Sequence, residues 1–153
     1  MLKNLDPLLT AELLLVLRSM GHGDELALVD CNFPAASVVE QTVSGKLVSL
    51  DGVDLPRAAE AILSVFPLDS FVETPVYRME VVGNPQELAS VQRDVQAIIA
   101  RDDSRQWGMG SIERHAFYDR ARHSYAVVAT GERRPYGCFI LVKGVIGPDG
   151  RVV

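Results

Sequence analysis

Three short runs, 26–29, 125–130 and 138–143, are apolar and β-favouring almost without a polar break. They constrain this chain more than anything else in it. A strand that faces water on one side alternates apolar and polar residues, whereas an unbroken run fits a strand covered on both faces. Between and around these runs lie segments with apolar residues at helical spacing: Leu13, Leu14, Leu17 and Met20; Ala58, Ala59, Ile62 and Leu63; Val91, Val95, Ile98 and Ile99. Doubly buried strands alternating with amphipathic helices predict an α/β domain, with a central sheet and helices on both faces.

Local signals place the boundaries. Thr10 caps a helix over 11–20, with Gly21 as its stop. Asp54 caps a helix that runs to about 65, with Pro56 tolerated in its first turn. Residues 76–82 read as a half-buried strand, with Tyr77, Met79 and Val81 inward and Arg78 and Glu80 outward. At Asn84-Pro85-Gln86-Glu87 the pattern predicts a helix start: Asn84 caps, Pro85 takes the first position and Glu87 closes a capping box. That helix reaches about Arg101, and 102–110 reads as an exposed loop. Residues 115–122 form a short helix, 131–137 connect the last two strands, and the tail beyond 147 is expected to fray. Segment 34–41 carries no clear pattern, and 43–50 holds short extended pieces around Gly45.

At 153 residues the chain fits one domain with a real core. A net charge of −5 with no basic run argues against nucleic acid as partner. No apolar run approaches the roughly 18 residues of a membrane span. Two cysteines, Cys31 and Cys138, make no disulfide framework, so a cytoplasmic setting is expected. Neither GxGxxG nor GxxxxGK[ST] occurs, and no cofactor is expected.

Chemistry concentrates in residues 20–34. His22 stands between Gly21 and Gly23 at the entrance of the first buried run, and Asp30 and Asn32 stand at its exit. Ligands in open α/β sheets lie beyond the carboxyl ends of strands, where Asp30 falls. His22 could instead sit in a helix-ending turn, and Asp30 could cap the turn that follows. Arg114 could pair with Asp119 at the surface, and Tyr136 could staple a hairpin. A metal site from His22, Asp30, Cys31 and Cys138 has no paired-ligand spacing, so no metal is expected.

With these residues in view, the sequence resembles the RbsD/FucU sugar mutarotase family, in its L-fucose branch. The matching stretches are Met20-Gly21-His22-Gly23-Asp24-Glu25, Asp30 with Phe33-Pro34-Ala35, and Arg114 with Ala116-Phe117-Tyr118. Thr130-Gly131-Glu132-Arg133, Tyr136-Gly137 and Leu141-Val142-Lys143-Gly144-Val145 complete them. The resemblance covers residues 1–146 as one domain, with 147–153 as a tail. It implies a three-layer α/β/α fold with a mixed, largely parallel sheet. The implied activity is interconversion of α and β anomers of a free monosaccharide, L-fucose first, with D-ribose or a non-catalytic sugar-binding ring as alternatives. It also implies a ring-shaped homodecamer with active sites between subunits, His22 and Asp30 coming from one copy and Tyr136 from another.

His22 falls on the family's catalytic proton donor and Asp30 on a sugar-binding acid. Arg114 takes the place where the ribose branch has histidine. Tyr136 and Gly137 match the start of a Tyr-x-Asn sugar-binding segment. Cys138 departs from it, and a thiol bonds more weakly than the usual amide.

Overall fold

The three apolar runs become the three central strands of one sheet. The computed structural model describes residues 2–102 and 105–153. In chain order the elements are α1 (Ala11–Ser19), β1 (Glu25–Val29), α2 (Ala35–Val39), β2 (Leu47–Leu50), α3 (Leu55–Leu63) and β3 (Val76–Met79). They continue with α4 (Ser90–Asp102), β4 (Met109–Ile112), α5 (Arg114–Arg122), β5 (Ala126–Thr130) and β6 (Cys138–Val142). The strand order is β2-β5-β1-β6-β3-β4. Pairs β1–β5, β2–β5 and β3–β4 are parallel; β6 runs antiparallel to both its neighbours, β1 and β3. The sheet is therefore mixed and largely parallel, as the resemblance implies.

Along the central strands successive side chains point to opposite faces, and both faces are buried. Leu26, Leu28, Ala126, Val128, Phe139 and Leu141 pack under α1, α3 and α4. Ala27, Val29, Val127, Cys138 and Ile140 pack under α2 and α5. That is why these runs carry no polar alternation. Among the described residues no helix is long and apolar enough to cross a membrane.

The caps at Thr10 and Asp54 form as expected, accepting from the N–H groups of Leu13 and Arg57. The helix start at Asn84 does not. Residues 84–87 make a turn, with the Asn84 amide on Glu87 (3.0 Å), and α4 begins at Ser90. The fully buried Gln92 explains the delay. Its Oε1 accepts from Ala89 N–H, which fixes the helix end there, and its amide donates to the Met79 and Tyr136 carbonyls.

Four further readings change. Arg78 is buried, not outward, because the loop after β3 covers it and the Pro85 carbonyl accepts from its guanidinium at 2.7 Å. Segment 34–41 holds α2. The 102–110 loop contains the start of β4, while residues 103 and 104 lie outside the described residues. The tail turns back as well: Ile146 bridges Val152, and Val153 N–H donates to Val145 O at 3.0 Å.

Candidate active site

Strand direction decides what can meet. His22 precedes β1, so it lies at the amino ends of the parallel strands. Asp30 follows β1, and the turn 135–137 precedes the antiparallel β6, so both lie at the carboxyl ends. Arg114 follows β4 and lies at the carboxyl ends as well. The five residues of β1 separate the two edges by about 16 Å at a strand rise of about 3.3 Å per residue. Within one chain, the expected site therefore falls into two halves. The division also lies elsewhere than expected, because Asp30 groups with Tyr136 and not with His22. The metal set of His22, Asp30, Cys31 and Cys138 does not converge for the same reason, since His22 lies at the opposite edge from the other three.

At the carboxyl edge, Asp30 is buried and fully engaged. Its Oδ1 accepts from the N–H groups of Asn32 (3.0 Å) and Phe33 (3.1 Å). Its Oδ2 accepts from Gly137 N–H (3.0 Å) and the Cys138 thiol (3.5 Å). A carboxylate offers about four lone-pair sites, and all are taken. Burial nonetheless pushes the Asp30 pKa up, against the lowering by those bonds. The Cys138 thiol is pushed well up, first by burial and then by the Asp30 charge. The turn-capping reading of Asp30 is thus what one chain displays. Gly137 makes a close approach: a Cβ there would stand 3.2 Å from both Asp30 Cβ and Glu132 Cγ, and those side chains would have to give way.

Tyr136 sits between these anchors with φ +65°, a conformation rare for a bulky residue. Gln92 holds its carbonyl at 2.9 Å, and its hydroxyl accepts from Val82 N–H at 3.3 Å. Beneath it, the buried Glu132 chelates the Arg134 guanidinium (3.0 and 2.8 Å), which holds the Glu132 pKa down to about 2. Arg114 begins α5 and is exposed; its Nη2 lies 3.4 Å from His115 Nε2. Tyr118 on the same helix is half-buried, with its ring 5.4 Å from that of Phe33. A hollow of about 450 Å³ opens at this edge between Asp30, Phe33, Leu47 and Thr130.

At the amino edge, His22 Nε2 lies 3.1 Å from Asp69 Oδ2; the histidine side chain is 47% exposed and that of Asp69 only 3%. The loop carrying His22 is clamped. Lys143 Nζ donates to the Leu17 and Met20 carbonyls (both 2.6 Å) that close α1, and Gly23 N–H donates to Lys143 O at 2.8 Å. The left-handed residue of this turn is Gly23 (φ +82°), not Gly21, whose N–H donates to Asp24 Oδ2 at 2.7 Å. Gly144 follows the same clamp: a Cβ there would collide with the Leu68 carbonyl.

Asp69 is the residue that sequence reasoning misses. Its one signal is a lone carboxylate directly after the apolar stretch 66–68, and the partner 47 positions away is invisible before folding. Gln92 is missed likewise, since one amide within an amphipathic helix has no mark of its own.

The chemistry available is a carboxylate-held histidine on one edge and a braced turn on the other, with hydroxyl, thiol and guanidinium groups beside it. The profile of the RbsD / FucU transport protein family matches residues 3–146. A fucose mutarotase of Bos taurus is 42% identical over 151 residues, covering 96% of this chain and 95% of that protein. The fucose mutarotase from Streptococcus pneumoniae, solved in complex with L-fucose, superposes with a TM-score of 0.85. It is 35% identical and covers 95% of this chain and 100% of its own. Bacillus subtilis RbsD, solved with D-ribose, shares the fold (TM-score 0.68, 21% identity, 96% of this chain and 100% of its own). The chain belongs to the RbsD/FucU family.

Proposed function

We propose that this chain is a mutarotase that interconverts the α and β anomers of a free monosaccharide, with L-fucose as its first substrate. The observation that carries the reading is the His22–Asp69 pair. A half-exposed imidazole oriented by a buried carboxylate suits proton transfer near neutral pH. The relatives named fucose mutarotase support L-fucose as the sugar.

In this account Nε2–H of His22 donates to Asp69, which leaves Nδ1 for the sugar. The imidazolium gives its Nδ1 proton to the ring oxygen as the C1–O5 bond breaks. The proton of the anomeric hydroxyl leaves to water, and C1 becomes an aldehyde carbon. Rotation about C1–C2 presents the other face, and closure reverses both transfers. Asp69 holds the ring in place throughout and stabilises the imidazolium each time it forms. No redox step is required.

The second half-site binds. Tyr136 supplies a ring and a hydroxyl, and Arg114 supplies several fixed donors to sugar oxygens. A hydroxyl reaching Asp30 displaces the Cys138 thiol, the weakest of its four partners. Because one chain holds the halves on opposite edges, a working site joins His22 of one copy to the Asp30 and Tyr136 edge of another. A closed symmetric homo-oligomer, a decamer, satisfies this and leaves no edge open. The exposed Val72 and Ile146 around the His22 edge supply apolar area for such a contact.

NMR exchange spectroscopy on L-fucose and D-ribose tests the proposal. It expects faster anomer exchange for L-fucose than for D-ribose on adding the protein. Exchange of D-ribose with none of L-fucose would show that Arg114 does not mark the sugar, and exchange of neither would overturn the activity.

A further inference from the structure

Phe71 is a large aromatic that the fold holds out in solvent. The residue is 63% exposed. Single exposed apolar residues are common and need no cause. Phe71 differs in how it is held. The segment before it is fixed at several points: Leu68 bridges Lys143, Asp69 N–H donates to Val142 O at 3.1 Å, and the Ser70 hydroxyl donates to Val153 O. Phe71 N–H then donates at 3.0 Å to Asp69 Oδ1, the other oxygen of the carboxylate that holds His22. One buried carboxylate thus fixes the imidazole through one oxygen and the Phe71 backbone through the other. The two rings meet edge to face, with centroids 5.4 Å apart at 72°.

We propose that Phe71 is the apolar wall of the sugar site and selects pyranoses that carry a methyl group on the carbon next to the ring oxygen. The inference rests on the mutarotase reading and deepens it. A histidine that protonates the ring oxygen stands next to C5, and the C6 methyl of a 6-deoxyhexose is only two bonds from that oxygen. An aromatic ring beside the imidazole therefore lies where that methyl and the C–H face around C5 arrive. A methyl gains by burial against it, a hydroxymethyl carries a hydroxyl into an apolar contact, and a hydrogen leaves the wall uncovered. Asp69 thereby couples chemistry to selectivity, because moving the carboxylate moves both walls.

Three sugars of one ring configuration separate these cases: L-fucose (methyl at C5), L-galactose (hydroxymethyl) and D-arabinose (hydrogen). Wild type, F71A and F71L are compared by anomer-exchange rates and by saturation-transfer difference NMR of binding. We expect wild type to prefer L-fucose and to transfer saturation most strongly to its methyl. In F71A the L-fucose to D-arabinose ratio should fall about fourfold, the worth of one buried methyl. F71L, which keeps apolar bulk, should retain most of the ratio. Equal changes for all three sugars, or an altered assembly mass with an unchanged ratio, would overturn the inference and make Phe71 an interface residue. Absence of exchange by wild type would sink the mutarotase reading alone, since the binding measurement still reports the methyl contact and decides Phe71.

Discussion

The two edges of the sheet are built on opposite principles. At the carboxyl edge everything is tied: Asp30 has four partners, Glu132 clasps Arg134, and Gln92 grips the carbonyls on both sides of the gap between β3 and β6. At the amino edge the backbone is clamped, but the imidazole of His22 is half open and, among the described residues, has one hydrogen-bond partner, Asp69. A rigid edge suits recognition, because ordering is complete before the ligand arrives. An accessible imidazole with one carboxylate partner suits proton transfer, since it must change charge state in each cycle. The length of one strand keeps these two devices apart within a chain, and the proposed function joins them through assembly.

The sharpest way to break this contrast is to remove the imidazole. H22A should lower anomer exchange by about 10²- to 10⁴-fold, the usual worth of one general acid–base group, with circular dichroism and assembly mass unchanged. A retained rate would move the chemistry to the other edge. D69N comes next. A hydrogen bond to a charged group is worth about 1.5–3 kcal/mol, so exchange should fall roughly 10- to 150-fold, chiefly in kcat. An effect confined to KM would make Asp69 a sugar ligand and not the partner of His22. The smallest effect is at Cys138, whose sulfur faces Asp30 within the core. C138N exchanges a weak thiol bond for an amide, a change of about 0.5–1.5 kcal/mol. Exchange kinetics should therefore shift by roughly 2- to 13-fold, with a tighter preference for L-fucose over D-ribose. A larger loss would show that an amide overfills the buried space beside Asp30.

The sequence disclosed these edges unequally. The central strands were legible because double burial removes polar alternation, and His22, Asp30 and the turn at Tyr136 stood out beside glycine and proline. What could not be read was pairing across distance. Nothing local tells Asp69 from any loop carboxylate, or Gln92 from any helical amide, since each takes its role from a backbone or ring brought close only by the sheet. The misplaced start of α4 has the same origin. Asn84-Pro85 is a good local cap, but the buried bonds of Gln92 outweigh it and move the helix start to Ser90. Likewise the turn-capping role of Asp30 is readable locally, but its bond from the N–H of Gly137 is not, because that residue lies 107 positions away.

The central claim is that a working site joins His22 of one copy to Tyr136 of another, and complementation tests it most directly. H22A and Y136A chains are each prepared alone, then co-expressed or refolded together, and anomer exchange on L-fucose is measured. In mixed assemblies, sites that pair an intact His22 from the Y136A chain with an intact Tyr136 from the H22A chain should form. At equal proportions about one quarter of sites are whole by random pairing around a closed ring, so activity should return to about a quarter of wild type. Activity in the mixture no greater than the sum of the two separate variants would place the whole site within one chain and contradict the account.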